Sequence, residues 1–229
     1  MTIQFFHVSR QASNGVKILD NICLSIKTGS WIEIKGVNQV GKTSLLKMIA
    51  CEDTADSGTL KMDQQLFENM DRKQLRIWKS QIGLVFQDIG FFPDKSVLDN
   101  LMTPFLIQKN GGGIFREQLN RALERVHLRE KMYMPMRDLS FSEQRLVVFL
   151  RALFPKRQIL LLDDPFQGIE MHTIEVLQSI LAEQHHQGVT IVGTVLDDTV
   201  FQNPHVTSET IEWFELTSSQ IQMIGGNPT

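Results

Sequence analysis

The sequence predicts an α/β protein built on a mostly parallel sheet, with antiparallel strands at its N-terminus and a helical subdomain inserted in the middle. Three features predict it. A strand-like run, Trp31 to Lys35, leads into a glycine-containing loop and then a helical pattern from Lys42 to Ala50, the strand–loop–helix order of a parallel α/β unit. Ile159 to Leu162 is apolar throughout, as suits a strand buried on both faces. Between them, from about Pro93 to Leu153, the pattern is mostly helical.

Taken in order, residues 3–8 and 22–26 are apolar or β-branched runs, with Asn14-Gly15 and Thr28-Gly29 as turns before the strand at Trp31. Ile82 to Phe86 reads as a further strand. Glu117 to Val126 and Glu143 to Leu153 are the clearest helices of the insert, and Gly111-Gly112-Gly113 reads as a flexible joint within it. His172 to Gln184 is a helix ended by Gly188, Val189 to Thr194 a strand, and the last thirty or so residues read as a hairpin and a tail. The expectation is one domain over 1–229, its core at about 1–88 and 154–229 and its helical subdomain at about 89–153.

The bulk properties exclude several classes. With 23 basic against 26 acidic residues and a net charge of -3, the chain has no excess positive charge to neutralise a phosphate backbone, so no nucleic-acid partner is expected. Cys23 and Cys51 sit in no close-spaced Cys/His cluster, which favours free thiols and the cytosol over a disulfide framework. The longest apolar runs, such as Leu146 to Leu150, fall far short of the about 20 residues of a membrane span, and the first residues carry no leader pattern. If the protein works at a membrane, another subunit does the spanning.

Gly36-Val37-Asn38-Gln39-Val40-Gly41-Lys42-Thr43 matches G-x-x-x-x-G-K-[ST] at every specified position, after a strand and before a helix. Such a loop turns its backbone N–H groups around phosphates, and the helix N-terminus adds a favourable dipole. Lys42 is expected to reach the terminal phosphates and Thr43 to place its hydroxyl on Mg²⁺, with nucleotide contacts running from Gly36 to Ser44. Ile159-Leu160-Leu161-Leu162-Asp163 is expected to deliver Asp163 beside this loop to hold the same ion.

With these motifs in this order, the sequence resembles the ABC ATPase family over nearly its whole length. Val85-Phe86-Gln87-Asp88 resembles the Q-loop, Leu139-Ser140-Phe141-Ser142-Glu143-Gln144 lies where the LSGGQ signature belongs, and Asp163 follows. The stretch from Ile82 to Asp88, with Glu143-Gln144, is most similar to the FtsE, LolD and MacB branch. The resemblance implies a peripheral ATP-binding subunit on the cytoplasmic face of the inner (plasma) membrane. It would bind ATP and Mg²⁺, form a homodimer or a heterodimer with another ABC subunit, and act on a permease of the FtsX, LolCE or MacB kind. It assigns Asp164, Gln87 and Lys42 to catalysis, Thr43, Asp163 and Gln87 to the metal, and Ser140 to the nucleotide held by the partner subunit.

The sequence departs from that pattern at several positions. Phe141-Ser142 stand where the signature has two glycines. Asp164 stands for the family's catalytic glutamate, one methylene shorter, and a misplacement of ~1 Å costs ~10²-fold. Leu196 stands for the switch histidine, Ala12 for the aromatic that stacks on adenine, and Glu170 for the D-loop aspartate. The resemblance therefore leaves two readings open: a slow ATPase motor, and an ATP-binding scaffold or regulatory subunit with little or no turnover. A small P-loop kinase does not explain Gln87, the Ser140 segment and the insert together. His185-His186 read as solvated residues at a helix C-terminus, Met132, Met134 and Met136 as loop packing, and Asp197-Asp198, Glu68 and Asp71 as surface charge. Phe91-Phe92 read equally as core or as the lip of a docking groove.

Overall fold

The computed structural model describes residues 2–86, 90–107, 113–154, 157–196, 210–217 and 220–225. Gln87 and Asp88, Gly111 and Gly112, and Asp197 and Asp198 lie outside them.

A four-stranded antiparallel sheet holds β1 (Ile3–Gln11), β2 (Lys17–Ile26), β4 (Ser57–Met62) and β5 (Gln65–Leu66) in the order β2-β1-β4-β5. A six-stranded sheet holds β3 (Trp31–Lys35), β6 (Ile82–Val85), β7 (Ile159–Asp163), β8 (Thr190–Val195), β9 (Ile211–Leu216) and β10 (Ile221–Gly225) in the order β10-β9-β3-β8-β7-β6. All its pairs are parallel except β9 with β10, which form the C-terminal hairpin expected from the sequence.

Strand β7 shows why an unbroken apolar run was needed. Ile159 and Leu161 join the core on one face, with Ile32, Ile34 and the buried side of α1 (Lys42–Ile49). Leu160 and Leu162 join the other, with Leu150 and Leu153 of α5 (Phe141–Leu153) and Leu177 and Leu181 of α6 (Met171–His186). Both faces are covered, so neither tolerates polar alternation. Between β6 and β7 the described residues form α3 (Val97–Ile107), α4 (Gly113–Arg125) and α5, with two short 3-10 turns at Arg129–Lys131 and Met136–Asp138.

Some elements differ from expectation. β2 starts five residues early, because Asn21 sits at φ +56° beside register shifts in the β1–β2 pairing, and this irregularity breaks the period of 2 in the sequence. Helix α2 (Arg72–Ser80) was not expected, since only Trp78 of its residues is buried and just Leu75 and Ile77 join it as apolar residues. Its start is nonetheless encoded by Asp71 and Gln74, which exchange side-chain-to-backbone bonds of 2.8 Å each. Asp71 is thus a capping residue rather than idle surface charge. His185 is half-buried against the Trp31 ring, 5.8 Å between centroids, so only His186 keeps the solvated position expected of the pair. Met136 is fully buried, whereas Tyr133 and Met134 are exposed.

Candidate phosphate-binding site

β3 ends at Lys35 and α1 begins at Lys42, and the six residues between them form the loop. The two glycines of the pattern are set by close approach. A Cβ on Gly36 would lie 2.6 Å from the Leu216 carbonyl oxygen at the end of β9. Gly41, which precedes α1, sits at φ +106°, and a Cβ there would lie 2.7 Å from the Ile18 carbonyl oxygen, so both the turn and the packing demand glycine. Val37, Asn38 and Gln39 are exposed, Val40 and Gly41 are buried, and Gln39 adopts φ +64°.

The side chains predicted to act on phosphate and metal converge. Lys42 is nearly buried, and its ammonium donates to the carbonyls of Gly36 and Val37 at the start of the loop. Desolvation lowers its pKa, and the carboxylates of Asp164 and Asp163 pull it back up. Thr43 Oγ1 donates to Asp163 Oδ2 at 2.7 Å, a contact between residues 120 apart in sequence. The other oxygen, Asp163 Oδ1, accepts from Thr194 Oγ1 on β8 at 2.8 Å, in the register where Asp163 and Thr194 are paired. The carboxylate is therefore oriented by one hydroxyl on each side.

Asp164 follows at φ +49°. Its N–H donates to the Thr194 carbonyl at 3.1 Å and lies 3.2 Å from the Thr194 hydroxyl, while its carbonyl accepts from Arg145 Nη2 at 3.1 Å. Burial pushes its carboxyl up from the ordinary value, Lys42 and Arg145 pull it down, and Asp163 pushes it up. A cavity of about 540 Å³ joins these groups. It is lined by Asn38 to Ser44, by Asp163, Asp164 and Gln167, and by Ile18 and Leu196.

Ser140 stands apart from this cavity in its own chain. It caps α5, its hydroxyl 3.3 Å from the Glu143 N–H, and Glu143 bonds back to it and to Lys131. Phe141 is 66% exposed, so the ring adds surface rather than core at the signature position. Gln87 lies outside the described residues. Thr194, Arg145, Gln167 and Ile18 were not assigned roles from sequence. Thr194 sits inside an apolar strand run, and only the β7–β8 register reveals that it faces Asp163. Arg145 was hidden among the polar residues Ser142, Glu143 and Gln144 near the start of α5.

The oxygen donors of Thr43 and Asp163 are hard ligands of the kind Mg²⁺ prefers, and the backbone N–H groups of the loop at the head of α1 suit phosphate. The residues present therefore fit a magnesium–nucleotide complex.

The family model described as "ABC transporter" matches residues 19–167. The uncharacterized ABC transporter ATP-binding protein YvrO of Bacillus subtilis is 29% identical over 186 residues, 81% of this chain and 81% of that protein. The cell division ATP-binding protein FtsE of Escherichia coli is 27% identical over 195 residues, 85% of this chain and 88% of that protein. A similar match, 29% over 82% of this chain, is made with only 29% of the macrolide export ATP-binding/permease protein MacB of Aggregatibacter actinomycetemcomitans. Among solved structures, the ATP-binding cassette MJ0796, a dimer bound to ADP and Pi in a post-hydrolysis state, superposes with TM-score 0.83 at 23% identity over 97% of this chain and 98% of that one. CbiO1 of Clostridium perfringens, part of the ABC transporter complex CbiONQ, gives TM-score 0.78 at 24% identity over 97% of this chain and 87% of that one.

Proposed function

The chain belongs to the ABC transporter family, and on that premise we propose that it is the Mg-ATP-binding subunit of a membrane complex. In this reading it dimerises on the cytoplasmic face of the membrane and drives or regulates a permease of the FtsX, LolCE or MacB kind, with slow hydrolysis. The observation that carries it is the run of contacts from Thr43 through Asp163 to Thr194 beside the buried Lys42. Lys42 would exchange the Gly36 and Val37 carbonyls for phosphate oxygens, gaining charge-assisted bonds. Thr43 and Asp163 would hold Mg²⁺, which neutralises charge on the transferring phosphoryl group when bound. Asp164, fixed by Thr194 and Arg145, would polarise the attacking water, and Gln87 would contribute to the metal site. Ser140 would serve the nucleotide of the partner subunit.

Slow turnover follows from the side chains at two positions. Asp164 has a short reach for a base set on a fixed backbone, and Leu196, 41% exposed at the cavity wall, has no hydrogen-bonding group for a γ-phosphate. Phosphate release by the protein reconstituted with its permease is expected well below the enzyme median of about 10 s⁻¹, and a rate at that median would contradict the assignment. Combining Asp164→Glu with Leu196→His is expected to raise turnover ~10-fold or more. If the double variant stays inert while binding ATP, the second reading, a scaffold without turnover, is the better one; the apolar Leu196 and the bulk of Phe141 favour it.

For the permease contact, Phe91 and Phe92 divide. Phe91 packs against the main core cluster, whereas Phe92 is 54% exposed. The chain after Phe92 runs beside residues 132–137, joined by Val97 N–H to Met134 O at 3.0 Å and Met136 N–H to Lys95 O at 3.0 Å, and that second segment carries exposed Tyr133 and Met134. Phe92→Ser is expected to leave folding and ATP binding intact while reducing co-purification with the permease several-fold, as loss of an aromatic anchor does. Undiminished co-purification would move the docking surface elsewhere.

A further inference from the structure

We propose that the first turn and a half of α5 forms a clasp on the loop that carries Asp164, with Arg145 as the positioning residue for it. The proposal rests on the reading of Asp164 as the group that acts on ATP, and it extends that reading to residues with no assigned role.

Three side chains of α5 reach this loop within the same chain. Arg145 Nη2 donates to the Asp164 carbonyl at 3.1 Å. Ser142 Oγ donates to the Gly168 carbonyl at 2.7 Å. The Phe141 ring lies over Gly168, so close that a Cβ there would be 3.3 Å from Phe141 Cε1. The same ring faces the Arg145 guanidinium, 5.8 Å from Cζ to the centroid, within cation–π range. The contacts interlock, because the ring that covers Gly168 also holds the guanidinium that holds Asp164. If residues 141 and 142 carried no side chain, two of the three would vanish.

The loop has need of such support. Asp164 is at φ +49°, a region that residues with a Cβ occupy sparsely and keep only when the surroundings over-determine them. Its N–H is held from the β8 side by Thr194 and its carbonyl from the α5 side by Arg145. Inside the loop, Ile169 N–H bonds to the Phe166 carbonyl at 3.1 Å, while the bond from Gln167 N–H to Asp164 O is long, 3.4 Å. Arg145 thus supplies the better donor to that carbonyl. Its Nε–H, buried and without an acceptor among the described residues, leaves the guanidinium committed to the loop on one edge only. The consequence is that a shift of the first turns of α5 is transmitted to the Asp164 backbone through Arg145.

The test compares wild type, Arg145→Gln, Arg145→Lys and Ser142→Ala by amide hydrogen exchange on the full chain. ATP affinity and phosphate release are measured in parallel. Exchange over residues 164–170 is expected to rise ~10-fold in Arg145→Gln and ~3-fold in Ser142→Ala, with the sheet unchanged. Arg145→Lys, which keeps a cationic donor, is expected to recover most of the protection. Turnover by Arg145→Gln is expected to fall ~10-fold with ATP affinity within about twofold of wild type. Unchanged exchange in both Arg145→Gln and Ser142→Ala overturns the clasp. So does faster exchange spread over the whole of α5 and the sheet, which marks a packing role. If the loop exchanges as expected but wild type releases no phosphate, the clasp stands and the catalytic reading of Asp164 falls.

Discussion

Lys42→Ala is expected to weaken Mg-ATP binding by ~100-fold or more in a fluorescent-ATP titration, with little change in the stability of the free protein. The ammonium is held among buried backbone, donating to the Gly36 and Val37 carbonyls, and is flanked by Asp163 and Asp164. Its hydrogen bonds to phosphate oxygens would be charged on both sides, roughly 1.5–3 kcal/mol each, and two of them account for the expected factor. In the free protein the alanine leaves the carbonyls of Gly36 and Val37, two residues that line an open cavity on the other side of the loop from which water can reach them, so folding is only mildly affected. Thr43→Ala is the natural companion, removing the hydroxyl bonded to Asp163. Unaltered ATP affinity in Lys42→Ala would sink the site.

The second large effect concerns stability and its dependence on pH. Glu33 lies in β3 with no exposure, beneath the helices of the α6 face. Its Oε1 accepts from Trp31 Nε1 at 2.8 Å, and its Oε2 has no partner among the described residues. Burial pushes its pKa up from 4.5 to about 8, against a smaller lowering by the Trp31 bond, so the native chain holds Glu33 as a neutral acid at neutral pH. The unfolded chain ionises it near 4.5. Between those values the native state binds more protons than the unfolded state. The stability that this proton confers is whole below the unfolded pKa and is lost as pH rises through the window, at ~1.4 kcal/mol per pH unit at most. Urea unfolding at pH 5.5 and pH 8 is expected to show wild type losing roughly 2–3 kcal/mol more than Glu33→Gln across that interval. Equal losses in the two proteins would show that Glu33 is ionised in the native state. The carboxyl also explains its neighbour. Gly193 faces Glu33 in the β3–β8 register, and a Cβ there would lie 2.2 Å from Oε2, so the acid and the glycine are a matched pair.

The Gly36-to-Thr43 loop and the strand bearing Asp163 were legible because each is a contiguous stretch whose geometry is local. The spacing of Gly36, Gly41, Lys42 and Thr43 follows from how a backbone turns into a helix, and the Ile159-to-Leu162 run follows from burial on both faces of one strand. The hairpin at the C-terminus and the helices α5 and α6 were legible for the same reason: periodicity is carried by neighbours in sequence. Helix α2 escaped because a helix that buries one side chain leaves no apolar stripe to read. The first half of β2 escaped because a β-bulge breaks the period of 2.

What the sequence determined by itself, then, is the set of groups: a glycine-bounded loop ahead of a helix, a hydroxyl and a carboxylate of the kind Mg²⁺ prefers, a short acid at Asp164 and an apolar residue at Leu196. What only the tertiary structure decided is which groups touch. Thr194 meets Asp163 across 31 residues, Thr43 meets Asp163 across 120, and Arg145 meets the Asp164 carbonyl across 19. Those meetings depend on strand order and register, with β8 next to β7 and α5 laid along the same face. The same packing sends Phe91 inward and Phe92 out, and strips Glu33 of water. Side-chain chemistry is written residue by residue. Desolvation and contact arise only when segments distant in the chain are brought to within a few ångströms, where the loss of water and the approach of one charge to another change what each group does.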